Sequence, residues 1–224
     1  MEKMPYRDVD NVELDIQAVI AAVSSTVTTS DWRQALPVLT GEKVTLRELR
    51  LSDAPSLLSM LNTEEVARFI SPPPSTVEGF ERFISWTHRE RAAGNYICFA
   101  VVPHGMDTAI GIFQVRQLEP GFSTAEWGFA IGSPFWGTGV FQDSAKLIVE
   151  FTFETVKAHR LEARAAVQNG RGNGALRKMG ATQEGILRKS FLRNGEYLDQ
   201  ILWTILDEDW RQAKAVWSEK VQVH

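Results

Sequence analysis

A glycine-rich turn between an apolar strand and a long amphipathic helix constrains the fold of this chain most. Residues Ala125–Ile131 alternate as a short strand, and the turn after them reads Gly132-Ser-Pro-Phe-Trp-Gly-Thr-Gly139. The helix is predicted from side chains that share one helical face, namely Val140, Ser144, Leu147, Ile148, Phe151 and Thr155. The turn therefore lies at a helix N-terminus, where N–H groups without intrahelical partners can bind an anion such as a pyrophosphate. The same pattern is also compatible with ordinary strand–turn–helix punctuation.

The turn is not the P-loop of a nucleotide triphosphatase. Two of its glycines have the P-loop separation, but Thr138-Gly139 follows where Lys-Ser/Thr is required. The strand before the turn carries one carboxylate, Glu126, on the face that it shares with Gly128 and Ala130. These small neighbours leave room for a ligand beside the carboxylate.

Composition excludes several classes of protein. A net charge of -4 and a pI near 5.7 argue against a general nucleic-acid binder, and an acidic surface tolerates cationic substrates such as amines. The single cysteine, Cys98, excludes an internal disulfide framework, so a reducing cytoplasm is expected. The four histidines are scattered, so no metal site is predicted. The longest apolar run is far below the roughly 20 residues that span a bilayer, so no membrane partner is expected.

The chain divides into an N-terminal helical extension, residues 1–40, and one domain, residues 41–224. In the extension, periodic apolar residues predict a helix over Val12–Val23, and Asp31–Leu36 is predicted to form a second, short one. This arm is expected to pack on its own domain or on the second copy of a homodimer. A lid over the substrate is the alternative.

The domain alternates strands and helices. Strands are predicted at Val44–Leu49, Tyr96–Val102, Ala109–Leu118 and Leu161–Val167, and helices around Leu57, around Phe80 and over Asp207–Val216. Asn194-Gly195 predicts a type I′ hairpin turn.

Several of these motifs resemble those of one family, the GNAT acyl-CoA N-acyltransferases. Trp136-Gly-Thr-Gly-Val140 resembles the family's pyrophosphate loop, and Ala125–Ile131 resembles the strand before it. Asn169, followed eleven residues later by Gly180, resembles the next motif. Leu46-Arg-Glu-Leu49 and Gly195–Gln200 are similar to the RimJ/RimL subgroup, which is named for ribosomal-protein Nα-acetyltransferases.

The resemblance implies a fold and a cofactor. The fold is a mixed α/β domain with a mostly antiparallel, twisted sheet of six to seven strands, splayed at its centre and flanked by helices on both faces. The cofactor is acetyl-CoA, with coenzyme A as product. Its implied binding residues are Phe129, Ala130, Ile131, Trp136, Gly137, Thr138, Gly139, Val140, Phe141, Asn169 and Asn173. Asn169 and Asn173 are also compatible with a purely structural role as caps of the helix that follows.

Acyl transfer to an amine needs a neutral amine, aligned reactants and a donor for the developing oxyanion. Glu126 is the candidate general base, acting through a water, and a salt-bridged strand residue is the alternative. Many family members have a tyrosine general acid in the helix after the asparagine motif, but this sequence has Leu176 and Arg177 there. Tyr197 is the candidate substitute. A thiolate with a pKa of about 8.5 also leaves without much help.

The predicted function is that of an N-acetyltransferase acting by direct attack in a ternary complex. The acceptor is a protein N-terminus or a small amine, such as an antibiotic or a polyamine. A non-catalytic acyl-CoA-binding module is the alternative from another class.

Overall fold

The computed structural model describes residues 31–221, with the backbone alone for residues 215–221. The helix predicted over Val12–Val23 lies outside the described residues. The strands are β1 (Leu39–Thr40), β2 (Val44–Glu48), β3 (Tyr96–Pro103), β4 (Gly111–Gln117), β5 (Thr124–Ile131), β6 (Arg160–Ala166), β7 (Thr182–Arg193) and β8 (Glu196–Leu206). The α-helices are α1 (Ala54–Leu61), α2 (Glu64–Ala67), α3 (Val77–Ala92), α4 (Val140–Phe151), α5 (Gly170–Lys178) and α6 (Asp207–Val221).

The strands form one mixed sheet in the order β1-β2-β3-β4-β5-β6-β8-β7. Within residues 31–221, neighbouring strands are antiparallel except for β5 and β6, which are parallel. The predicted mixed α/β architecture is confirmed, with eight strands in place of six to seven. The short strand β1, two residues long, is below the length that a sequence pattern can reveal.

The parallel pair separates soon after it starts. Only Thr124–Glu126 pair with Arg160–Glu162. Beyond Glu126, β5 continues beside β4 as far as Ile131, while β6 continues beside β8 as far as Ala166. The sheet is therefore splayed at its centre, as predicted, and each strand presents an unpaired edge to the gap.

Helices cover the two faces of the sheet and build two cores. On the first, called the α4 face, side chains of α4, α5 and α6 pack on Phe99, Phe113, Val115, Trp127 and Leu161. On the second, called the α1 face, side chains of α1 and α3 pack on Cys98, Ala100, Ile112 and Ala130. Strand alternation thus assigns Glu126, which shares its face with Ala130, to the α1 face.

Of two local predictions, the structure confirms the type I′ turn and contradicts the short N-terminal helix. Asn194 and Gly195 have φ angles of 51° and 80°, so the type I′ turn is confirmed. The short helix predicted over Asp31–Leu36 is wrong, because a turn stands there and Trp32 packs edge-on against Phe122, with ring centroids 5.6 Å apart. Tertiary packing of this aromatic ring overrides a weak local helical pattern.

Residues 32–40 are the part of the predicted extension, residues 1–40, whose side chains the structure describes after Asp31. In the structure, Trp32 and Leu36 belong to the core of the α4 face, and β1 joins the sheet. The compact unit correspondingly begins at Trp32.

Candidate active site

The glycine-rich turn has the conformation that an anion-binding helix start requires. Gly137 and Gly139 have φ angles of 78° and 90°, a region that residues with a Cβ rarely adopt. A Cβ on Gly137 would meet no atom within 4 Å, so the outer side of the turn is open. The first intrahelical bond of α4 joins the Asp143 N–H to the Gly139 carbonyl at 3.1 Å. The N–H groups of Val140, Phe141 and Gln142 precede that bond at the open end of the helix.

A lysine 95 positions before Thr138 reaches this turn. Lys43 Nζ donates to the Thr138 carbonyl oxygen at 2.8 Å and lies 2.9 Å from where a Gly139 Cβ would be. Asp143, in the first turn of α4, holds the lysine in place by accepting the backbone N–H groups of Lys43 at 2.7 Å and Val44 at 3.1 Å. The ammonium thus adds positive charge to the helix N-terminus.

No local pattern could have revealed this lysine. The contact between Lys43 and Asp143 joins residues 100 positions apart. The local sequence therefore predicts the turn but not the cation beside it.

The free edge of β5 presents backbone groups from alternate residues. The Gly132 N–H bonds to Ile110 on the β4 side, and the Ala130 carbonyl also faces β4, beside Gly111. By strand alternation, Trp127, Phe129 and Ile131 direct their N–H and C=O groups at the gap. The Ile131 carbonyl already accepts the indole N–H of Trp136 at 2.8 Å. Of the three residues predicted to offer main-chain partners, Phe129 and Ile131 face the gap, and Ala130 faces β4.

An aromatic cluster fixes the start of α4 against the sheet. Phe129 and Phe141 have ring centroids 4.6 Å apart, and both lie within 6 Å of the Phe113 centroid. The predicted residue Phe141 is therefore partly buried under the turn, with its side chain engaged in packing.

Glu126 lies where β5 and β6 part, with 17% of its side chain exposed. Its Oε2 accepts hydrogen bonds from Arg116 on β4, one of them from Nε at 3.0 Å. Its Oε1 is 3.5 Å from Nε of Arg164 on β6. Oε2 is thus tied to β4, while Oε1 faces the gap through a longer contact. The salt bridges that the sequence left open as an alternative are present.

The ion pairs continue across the α1 face as a charged ladder, defined as Arg116, Glu126, Arg164, Glu162, Arg160 and Glu184. Arg160 bonds Glu162 at 2.9 Å and Glu184 at 2.5 Å and 2.8 Å. These bonds from Arg160, with a weaker one from Thr204, hold the pKa of Glu184 at about 2 despite a smaller opposing effect of desolvation. The ladder ties β4, β5, β6 and β7 together beside the gap.

The two predicted asparagines lie at the start of α5. Asn169 caps the helix, since its Oδ1 accepts the Gly172 N–H at 2.9 Å. Asn173 is 6% exposed and donates to the carbonyls of Ala166 and Asn169, each at 2.9 Å. Its Oδ1 accepts the indole N–H of Trp203 at 2.9 Å. Both side chains thus have the structural contacts that the sequence allowed, and a direct contact with cofactor stays a prediction for each.

Tyr197 lies apart from Glu126. The register places Glu126 level with Glu162 and Thr204, and Tyr197 is seven residues further along β8, which is about 23 Å in an extended strand. The ring is 55% exposed. Alternation along β8 also puts it on the α4 face, since Trp203 lies in the core of that face.

The hairpin of β7 and β8 reaches back to the helices of the α1 face. Arg193, next to the type I′ turn, donates to the carbonyl of Ala67 at 2.8 Å and more weakly to that of Arg68. Phe69 and Ile70 follow directly and are half-buried. This contact joins the two walls of the gap on the α1 face.

Neither a metal nor a membrane is indicated by the part of the chain that the structure describes. In that part, no three His, Cys, Asp or Glu side chains are grouped so that they could hold a metal ion. None of its helices has the length and apolarity needed to cross a bilayer.

Comparisons with known proteins agree with this geometry. The family model described as acetyltransferase (GNAT) domain matches residues 43–182. An uncharacterized N-acetyltransferase of Bacillus licheniformis, p20, is 23% identical over 170 residues, which are 75% of this chain and 96% of that protein. The [ribosomal protein uS5]-alanine N-acetyltransferase of Escherichia coli is 21% identical over 59% of this chain and 69% of its own length.

A solved structure has the same fold. Mycobacterium smegmatis RimJ, in complex with CoA-disulfide, superposes with a TM-score of 0.71. It is 19% identical, and the superposition covers 77% of this chain and 88% of RimJ.

Proposed function

Because this chain belongs to the GNAT acetyltransferase family, we propose that it transfers an acetyl group from acetyl-CoA to a primary amine by direct attack in a ternary complex. The observation that carries the proposal is the gap between β5 and β6, which opens beside a helix N-terminus with two positive-φ glycines. When bound, acetyl-CoA supplies an acetyl group activated as a thioester.

The residues of the α4 face fit the cofactor. The turn from Trp136 to Phe141 offers open backbone N–H groups to the diphosphate, and Lys43 adds an ammonium group with two of its three donors left for a ligand. Phe129 and Ile131 offer main-chain groups to the pantetheine arm along the free edge of β5, as an additional strand would use them. Asn169 and Asn173 hold the end of β6 that forms the other wall.

The acceptor amine approaches from the α1 face, where Glu126 lies. An amine that arrives as ammonium has to lose a proton before it attacks, and Oε1 of Glu126 accepts that proton through a water. Oε1 suits this role better than Oε2, because its contact with Arg164 is 3.5 Å long while Oε2 is held by Arg116.

A dedicated general acid is not required at the sulfur. A thiol with a pKa of about 8.5 leaves readily as thiolate. Tyr197 remains a candidate acid only if the hairpin rearranges, since it lies far along β8 from the level of Glu126.

Protein N-termini and small amines are both candidate acceptors. The name of the Escherichia coli relative, a [ribosomal protein uS5]-alanine N-acetyltransferase, favours a protein acceptor. The contact of Arg193 with α2 narrows the opening of the gap on the α1 face. A narrow opening favours an acceptor of small cross-section, either the end of a protein chain or a small amine.

A panel assay tests the proposal. Thiol release from acetyl-CoA is measured with peptides that have different N-termini, with polyamines and with amino acids, and CoA affinity is measured by titration calorimetry. Amine-dependent release with micromolar CoA binding supports the proposal, and absence of CoA binding refutes it.

A non-catalytic acyl-CoA-binding module is the second candidate. It is favoured by the engagement of both Glu126 oxygens by arginines. CoA binding without release for any amine identifies this case.

A further inference from the structure

A glutamine amide from β4 lies over β5, the strand that borders the central gap. Gln114 on β4 pairs with Gly128 on β5, two residues beyond Glu126, where β5 and β6 have already separated. Its Nε2 is 3.0 Å from the position that a Cβ on Gly128 would take. The amide therefore lies across the β5 backbone, in space that exists because residue 128 is glycine.

A buried tyrosine orients this amide. Tyr96 on β3 donates its hydroxyl hydrogen to Oε1 of Gln114. The Tyr96 side chain is 7% exposed, and its ring centroid is 4.8 Å from that of Trp86 on α3. Burial raises the pKa of the phenol well above its usual value, so the hydroxyl stays protonated and keeps donating. With Oε1 bonded to Tyr96, the Nε2 of the amide lies over Gly128, on the strand that borders the gap.

Within residues 31–214, the side-chain hydrogen bond of Gln114 is the one that Oε1 accepts from Tyr96, so the two N–H donors of Nε2 are left for a ligand. They lie on the α1 face, the same side as Glu126, whereas the glycine-rich turn opens at the start of α4. The N–H donors of Gln114 lie over Gly128, two residues along β5 from Glu126, where they suit an oxygen atom of the acceptor.

We propose that Gln114 donates a hydrogen bond to an oxygen carried by the acceptor close to its reacting amine, and that Tyr96 is the positioning residue for this contact. The inference rests on the proposed acetyl transfer. It predicts a preference for amines with a carbonyl or hydroxyl oxygen on the neighbouring carbon over amines of the same size without one. When an amine without this oxygen binds, the N–H donors of Gln114 stay unpaired, and the kcat/KM of that amine is expected to be lower by about tenfold or more.

Matched acceptors test the inference. kcat/KM is measured for alaninamide against 3-methylbutan-2-amine, in which an isopropyl group of the same size replaces the carboxamide, and for ethanolamine against propylamine. The wild-type protein is expected to favour the oxygen-bearing member of each pair by about tenfold or more. Gln114→Leu removes most of this preference by slowing the oxygen-bearing amines, while the other amines and CoA affinity stay within about threefold.

Two further variants separate positioning from folding. Tyr96→Phe keeps the ring but frees the amide, so part of the preference is lost. Gly128→Ala keeps Gln114 but displaces its amide, because the new Cβ would lie 3.0 Å from Nε2. The backbone tolerates the alanine, since the φ angle of Gly128 lies outside the left-handed region. Gln117→Leu, on the same strand, is the matched control and leaves the preference unchanged.

The possible results are distinct. Equal loss for both members of a pair in Gln114→Leu, or no preference in the wild-type protein, overturns the inference and leaves the acetyltransferase function intact. No acetylation of any amine by the wild-type protein overturns both.

Discussion

Replacing Glu126 by glutamine separates its role as a base from its role in the charged ladder. Glutamine keeps the size of the side chain but cannot accept the proton of an ammonium ion. Glu162 is a matched control, because it pairs with Glu126 in the sheet and also contacts Arg164. The two side chains are 17% and 14% exposed, so both substitutions remove a similarly buried charge.

The expected losses differ between stability and turnover. Arg116 and Arg164 are 53% and 36% exposed, and ion pairs with such partners stabilise a fold by about 0.2–1 kcal/mol each. Glu126→Gln should therefore lower the free energy of unfolding by at most about 2 kcal/mol. Removal of a general base costs about 100-fold to 10,000-fold in turnover, which is about 3–5 kcal/mol of barrier.

The assay is steady-state thiol release at saturating acetyl-CoA, with CoA affinity from calorimetry and stability from thermal unfolding. We expect Glu126→Gln to lose at least about 100-fold in kcat with CoA affinity within threefold, and Glu162→Gln to keep kcat within about threefold. Similar stability losses in both variants are expected.

The base assignment is refuted if Glu126→Gln retains kcat within threefold. It is also refuted if both variants lose turnover equally, because the carboxylate would then act only through the ladder.

Three other substitutions probe the cofactor side and the fold. Lys43→Ala should weaken CoA binding about fivefold to tenfold and Lys43→Arg less, as measured by calorimetry at low salt. Gly139→Ala should lower the free energy of unfolding by about 1–2 kcal/mol in chemical denaturation, because its φ is 90° and the new Cβ would press on Lys43. Asp53→Asn should cost about 3–5 kcal/mol, because it breaks a buried pair with Arg47 that has two bonds of 2.7 Å. Burial opposes the ionisation of Asp53, but hydrogen bonds from Arg47 and Arg50 outweigh burial and lower the pKa of Asp53. The ion pair therefore stabilises the wild-type fold above about pH 4, and this stabilisation is lost as the pH falls through the folded-state pKa. Chemical denaturation at several pH values measures the loss.

Local patterns predicted the elements that local chemistry specifies. The turn before α4 follows from the spacing of its glycines, and the type I′ turn follows from Asn194-Gly195. The splayed sheet was expected from the resemblance to a family, since neither periodicity nor composition indicates which strands separate.

Contacts between distant parts of the chain cannot be predicted from local sequence patterns. Lys43 reaches the glycine-rich turn because Asp143 accepts backbone N–H groups from a segment 100 positions away. Arg116 and Arg164 meet Glu126 only because β4 and β6 flank β5. Asn173 was predicted at the cofactor, and its buried contact with Trp203 depends on the docking of α5 against β8.

The gap between β5 and β6 also exposes two strand edges in the middle of a sheet, and open edges invite pairing with foreign chains. At the C-terminal end of each strand, a side chain hydrogen-bonds the backbone carbonyl and so makes it unavailable for pairing. The indole of Trp136 covers the Ile131 carbonyl on one strand, and the amide of Asn173 covers the Ala166 carbonyl on the other. Trp136 and Asn173 thereby also protect the gap against pairing with another chain. Substitutions that remove either side chain should favour aggregation before they abolish folding.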